Sequence, residues 1–212
     1  MEQTTNDLTI EFIKEHPEIK RCLKKELINY SSLARLIAKE LKIERKSSKE
    51  AILIAARRFK QSLKWEETND EKISDLLEKS EVEIKNKISV FILEKGLNFE
   101  VVDEIQRQIR KESGAFYLIE GSDNYTLVIQ DKYASLIKQK FSSRMIKQRT
   151  KLALINIITP KEIENTPGFI SYTAGLFSEH GVNIVEFISC WTDNLFIINA
   201  DDVKKTLEFL EF

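Results

Sequence analysis

The chain has 212 residues, 42% of them hydrophobic and 32% charged, with 33 Lys+Arg against 34 Asp+Glu for a formal net charge of −1. That composition supports one or two folded cores and excludes collagen-like, disordered and disulfide-framed chains. The near-neutral total conceals a dipole: residues 1–65 hold 15 Lys+Arg and 9 Asp+Glu, a net of +6, leaving 18 and 25, a net of −7, in residues 66–212. No apolar run reaches the roughly 18 residues of a membrane span, and the acidic start is unlike the basic opening of a secretory leader, so the expectation is a cytoplasmic protein with no membrane partner. Cys22 and Cys190 lie far apart, with only His16 and His180 as companions. That predicts reduced structural thiols and neither a metal site nor a cofactor.

Pro17 is the only proline before Pro160, and Gly96 is the first glycine. The N-terminal part therefore lacks turn punctuation and reads as helical. Leu8, Phe12 and Ile13 mark a short helix that Pro17 ends, and Cys22, Leu23 and Leu27 mark a second. Asn29 and Ser31 can cap a helix whose apolar face is Leu33, Leu36, Ile37 and Leu41. Ser47 or Ser48 can cap another, with Ile52, Ala56, Phe59 and Leu63 on one face. Only residues 42–46 join these two. Within 1–65 the pattern predicts a compact tri-helical unit that resembles a helix-turn-helix module.

Lys49, Arg57, Arg58, Lys60 and Lys64 fall on the last of these helices, and Arg57, Lys60 and Lys64 recur at three-to-four spacing away from Phe59. A basic stripe of this kind is what phosphate contact with nucleic acid requires. A solvated helix face explains the same charges, and a docking face that includes Leu53 and Ile54 is a third reading. Next comes Glu66-Glu67-Thr68-Asn69-Asp70-Glu71, a solvated linker or a helix start, which sets a boundary near residue 66 and an acidic linker or helix over 66–80.

From residue 81 the sequence repeats a plan. Asn86–Leu93 reads as a strand, Phe99–Lys111 as a helix, Ala115–Glu120 and Tyr125–Ile129 as strands joined at Gly121–Asn124, and Lys132–Phe141 as a helix. The order recurs with strand Leu152–Ile158, helix Phe169–His180, strands Asn183–Cys190 and Leu195–Asn199 turning at Trp191–Asn194, and helix Val203–Phe209. Strand, helix, two strands, helix is the split βαβ plan, so the fold class is α+β: a helical bundle followed by two ferredoxin-like units over 81–149 and 150–212. Neither copy carries a fourth strand after its second helix. Glu81–Lys85 and Met145–Arg149 are strand-like segments ahead of the copies, and the expectation is that each completes the other copy, interlocking the two.

Asn165–Ile198 (NTPGFISYTAGLFSEHGVNIVEFISCWTDNLFII) resembles the ACT domain, a small ligand-binding module. The resemblance rests on Pro167-Gly168 at the strand-to-helix junction, Gly175 within the helix and Gly181-Val182-Asn183-Ile184 leading to the next strand. SCWTDNLFII is most similar to the regulatory region of aspartokinases, and the first copy keeps Gly96 and Asn98 of the loop. The resemblance implies an amino acid effector held between two domains by Asn165, Thr166, Pro167, Gly168 and Phe169, together with Gly181, Val182, Asn183 and Ile184. It also implies side-by-side association into a homodimer or higher oligomer.

The same residues have a direct physical reading. Gly168 allows a tight turn into a helix whose first amides lack partners and favour a carboxylate, with Asn165 and Thr166 as polar groups at that mouth. Gly181 ends the helix in the left-handed region. Turn formation alone accounts for these glycines as well. Gly175 reads as a close-packing position, His180 as a helix-end surface residue, Trp191 as an aromatic covering the sheet edge and Asp193 as turn chemistry.

No nucleophile–base pair, phosphate-binding glycine loop, framed carboxylate pair or metal cluster stands out, so no catalytic residue is assigned and the expectation is a non-enzyme. The leading reading is an amino-acid-sensing, ligand-responsive transcriptional regulator. The alternative is a regulatory subunit that does not bind DNA and docks on an amino acid biosynthetic enzyme.

Overall fold

Four helices build the N-terminal unit: α1 (Thr5–Glu15), α2 (Pro17–Lys24), α3 (Tyr30–Glu40) and α4 (Lys49–Leu63). The computed structural model describes residues 3–44, 48–63 and 69–210, with the backbone alone at 69 and 70. Each helix start has a local cause. Thr4 and Asp7 form a capping box, Pro17 takes the first position of α2 where no amide hydrogen is needed, Asn29 accepts from the Ser32 amide at 3.0 Å, and Ser48 accepts from the Ala51 amide at 3.1 Å. The unit differs from the three-helix expectation in having four helices, with α4 packed mainly on α1 and α3 and more lightly on α2. Its Ile52, Ala56, Phe59 and Leu63 share one core with Phe12, Ile13, Leu23, Leu33 and Ile37. Residues 45–47 of the α3–α4 connection, Lys64 and the acidic 66–68 lie outside the described residues.

A second compact unit begins at Asn69. It runs α5 (Asn69–Glu78), β1 (Glu81–Glu94), α6 (Phe99–Lys111), β2 (Phe116–Glu120), β3 (Asn124–Gln130), α7 (Ala134–Phe141), β4 (Met145–Ile158), α8 (Phe169–Glu179), β5 (Glu186–Cys190), β6 (Asp193–Asn199) and α9 (Val203–Phe209). Its strands form one antiparallel sheet in the order β2-β3-β1-β4-β6-β5.

Strand exchange dominates the topology. β1 and β4 are 14 residues each and pair from Glu81↔Ile158 to Leu93↔Met145. Glu81–Lys85 therefore lies beside Leu154–Ile158 of the second copy, while Met145–Arg149 lies beside the β1 residues of the first. Each edge segment runs without a break into the central strand that follows it. Each copy thus has the ferredoxin-like strand order, with its fourth strand lent by the other. Lys87 and Lys151 sit at left-handed φ of 58° and 57°, where the pairing register shifts and each strand passes from one copy to the other.

Both faces of the sheet are apolar. Helices α6 and α7 cover Phe91, Leu93, Leu127 and Ile129, and helices α5, α8 and α9 cover Ile155, Ile157, Phe196 and Ile198. On the other face Ile88, Val90, Val128, Leu152, Leu154, Leu195 and Ile197 are buried together, with no helix residue in their cluster among the described residues. Tyr117 of β2, on one edge of the sheet, and Ile188 of β5, on the other, pack against that same cluster. The sheet therefore curls, and its inner face closes on itself. Antiparallel sheets more commonly leave one face to water, with alternating sequence.

The described part of the acidic stretch is α5, whose Ile73, Leu76 and Leu77 are buried in the core of the second copy. β5 begins at Glu186, not Asn183, and β6 already at Asp193, so the hairpin turns at Trp191-Thr192.

Candidate ligand site

The nine residues implied by the resemblance divide between the two ends of α8. That helix has 11 residues, about 16 Å at 1.5 Å per residue. At its start Gly168 takes φ 94°, a left-handed value, and no side chain caps the first amides. Asn165, Pro167 and Gly168 are exposed. Thr166 is buried and its hydroxyl donates to the Glu162 carbonyl at 2.8 Å, so it holds the preceding 3-10 turn together. Phe169 is buried in the core. The Ile73 side chain of α5 lies 3.6 Å from where a Cβ on Gly168 would stand.

At the other end a Schellman motif closes the helix. The Gly181 amide donates to Ser178 O at 2.9 Å and the Val182 amide to Phe177 O at 2.8 Å, with Gly181 at φ 64°. Val182 and Phe177 meet in the same core. Gly181, Val182, Asn183 and Ile184, with Ala174 and Ser178 of α8, line an open groove of about 450 Å³. Ala174 and Ser178 were not singled out from the sequence. Their signal was two small residues four apart on one helix face. Gly175 has nothing within 4 Å of a Cβ position, so the expected close packing is not made among the described residues.

The loop of the first copy is built differently. Gly96 also takes a positive φ, 83°, but Asn98 caps α6 by accepting from the Glu100 amide at 3.0 Å, and the Arg144 guanidinium lies 3.8 Å from a Gly96 Cβ position.

On α4 the basic stripe is reduced. Lys60 donates to Glu26 at 2.6 Å, which raises its pKa, and its side chain is only 17% exposed. Arg57 lies 5.3 Å from the Tyr30 ring centroid; Lys49, Arg57 and Arg58 are exposed. Trp191 is 55% exposed beneath Lys161 at the hairpin turn, and Asp193, the first residue of β6, closes that turn and accepts from Asn156 of β4. His180 is exposed and stacks on Phe209. Cys22 and Cys190 are both free and exposed, not interior thiols. Among the described residues no helix is long and apolar enough to cross a membrane.

No protein-family model matches the chain, and no curated protein sequence matches it. Solved structures show likeness over 61–68% of the chain. Clostridium acetobutylicum aspartate kinase is 18% identical with a TM-score of 0.49, over 61% of this chain and 33% of that one. A putative C-terminal regulatory domain of aspartate kinase from Porphyromonas gingivalis is 17% identical with a TM-score of 0.45, over 62% and 94%. A Vibrio cholerae protein of unknown function, described as a possible transport protein, is 14% identical with a TM-score of 0.46, over 68% and 96%. The matched region spans about one third of the Clostridium enzyme.

Proposed function

We propose that the C-terminal unit is an ACT-type sensor of a free amino acid, that the chain regulates and does not catalyse, and that the N-terminal helices are its output. The observation that carries this reading is the start of α8. A left-handed glycine opens the helix with no side-chain cap, leaving amides that suit an α-carboxylate, in the segment with the ACT resemblance. The equivalent helix of the first copy is capped by Asn98, which favours the second copy as the binding one. β2 and β5 are the open edges of the sheet, where a homodimer of the implied side-by-side kind would form.

The test is a thermal-shift screen against the twenty amino acids at millimolar concentration. Ligand at a hundred times its dissociation constant adds about 2.7 kcal/mol of stability. A selective shift that Gly168→Val abolishes, while Gly96→Val retains it, supports the sensor. The absence of any shift overturns it.

A ligand-responsive transcriptional regulator is the reading favoured by the net charge of +6 over residues 1–65 and by exposed Lys49, Arg57 and Arg58. Docking on a biosynthetic enzyme is favoured by the Lys60–Glu26 pair, which withdraws a charge from the stripe, and by exposed Leu27, Leu36 and Ile54. Retention on duplex DNA that falls steeply with salt and is lost in Arg57→Glu/Arg58→Glu selects the first. Passage through the column unretained at low salt selects the second.

A further inference from the structure

The outward face of α4 carries a stripe of four side chains. Ile54, Arg57, Arg58 and Gln61 stand at i, i+3, i+4 and i+7, all exposed, on the side away from the core residues Ile52, Ala56, Phe59 and Leu63. Ile54 and Gln61 form the middle of the stripe, and the two arginines flank it on opposite sides. Ile54 is 48% exposed, an apolar group set among cations.

Beside the stripe, Tyr30, Arg57, Lys60 and Gln61 line an open groove of about 270 Å³. Its two cations differ. Lys60 is neutralised by Glu26 at 2.6 Å, whereas Arg57, 5.3 Å from the Tyr30 ring centroid, makes no ion pair among the described residues. The charge of the unit is also one-sided. α4 holds Glu50 alone against Lys49, Arg57, Arg58 and Lys60, while α1, packed on the core side of α4, holds Asp7, Glu11 and Glu15 against Lys14. On α3, Ser32, Arg35, Leu36 and Lys39 repeat the spacing, but Arg35 is turned back onto the Ser32 hydroxyl at 3.0 Å.

We propose that α4 enters the major groove of duplex DNA, that Ile54 and Gln61 select the sequence, and that Arg57 and Arg58 hold the phosphates on either side. This rests on the transcriptional-regulator reading and names the residues that choose its site. The 15 residues of α4 span about 22 Å, more than the roughly 12 Å width of the groove. A glutamine amide matches the donor and acceptor of an adenine edge, and an apolar side chain suits the thymine methyl. Arg57 meets its phosphate in the flanking groove, where the Tyr30 hydroxyl is a second donor. Duplex fits better than single strand, because Phe12 and Phe59 are buried, Tyr30 is half-buried and no aromatic ring among the described residues of this unit is exposed for stacking unpaired bases.

Full-length protein, with and without a mixture of amino acids, is used to select from a pool of random duplexes, and the retained sites are sequenced. The parent enriches a motif that contains A·T pairs. Gln61→Ala and Ile54→Ala each lose discrimination at one base pair by about tenfold and keep their affinity for unselected DNA. Arg57→Gln weakens binding to every duplex alike and lowers the slope of log affinity against log salt by about 1. Retention of DNA by the parent without an enriched motif overturns the proposal and leaves the regulator reading standing on phosphate contact alone. The parent motif recovered unchanged by folded Gln61→Ala and Ile54→Ala overturns it too. Failure to retain any duplex in either condition overturns both, and leaves α4 as a face for docking on protein.

Discussion

The first and second copies in the C-terminal unit close their first helices with the same hydrogen bonds and different residues. After α6 the Ser113 amide donates to Arg110 O and the Gly114 amide to Ile109 O; after α8 the Gly181 and Val182 amides make the equivalent bonds. The left-handed position is therefore serine in one copy, at φ 53°, and glycine in the other, at φ 64°. One residue later the first copy has glycine, because a Cβ there would stand 2.7 Å from Ile109 Cγ2, while the second has Val182 packed in the core. The motif is conserved as geometry, and each copy spends its glycine where the local constraint is harder. Their helix starts differ in the same sense, one capped by Asn98 and the other open at Gly168.

The largest test of this comparison is Phe177→Ala. Phe177 is fully buried and stacks on Phe196 at 4.7 Å and against Phe209 at 5.3 Å, so its loss costs about 3–5 kcal/mol. Because β1 and β4 belong to both copies, the C-terminal unit should still unfold in one transition in denaturant. A separate early transition for the second copy would break the interlocked picture.

Gly114→Ala comes next, at about 1–3 kcal/mol of overpacking against Ile109 and Tyr133. Gly181→Ala costs about 1 kcal/mol through backbone conformation alone, and Ser113→Gly gains a comparable amount. If both shift the midpoint the same way, the two helix ends are not equivalent.

The smallest effect is a pH dependence. Glu186 and Tyr117 hold matching places on β5 and β2, paired with Ile197 and Val128. Burial raises the Glu186 pKa and nearby Arg149 partly opposes this. The folded state then holds that proton more tightly than the unfolded chain, so stability falls as pH rises through the glutamate range. Glu186→Gln should be more stable than the parent at neutral pH, with the advantage vanishing below the ordinary glutamate pKa. Chemical denaturation at both pH values reads it.

Local signals in the chain were strong where one residue decides one turn. Asn29, Ser48, Pro17, Gly168 and Gly181 sit at helix ends in the structure as their chemistry requires, and the repeat located both copies with their strands. The continuity of β1 and β4 was less visible: Glu81–Lys85 and Met145–Arg149 read as separate strand-like segments, and Lys87 and Lys151, where each strand runs on, adopt a backbone that no sequence pattern marks. Of the candidate site, Gly181–Ile184 come together in a groove with Ala174 and Ser178. Thr166 and Phe169 turn out to serve the loop and the core, since their orientation depends on the path of the whole loop.

The sequence by itself determined the helices of the first unit, the doubled strand-helix-strand-strand-helix order and the left-handed glycines of α8, because periodicity, capping and positive φ are properties of a few neighbouring residues. Tertiary structure alone decided which face of Asn156 is buried, that Lys60 is held by Glu26, that α5 belongs to the second core and that the sheet curls to bury a second apolar face. Each of those depends on partners brought together from distant positions, and a buried acceptor or a paired charge has no meaning until the partner is in place.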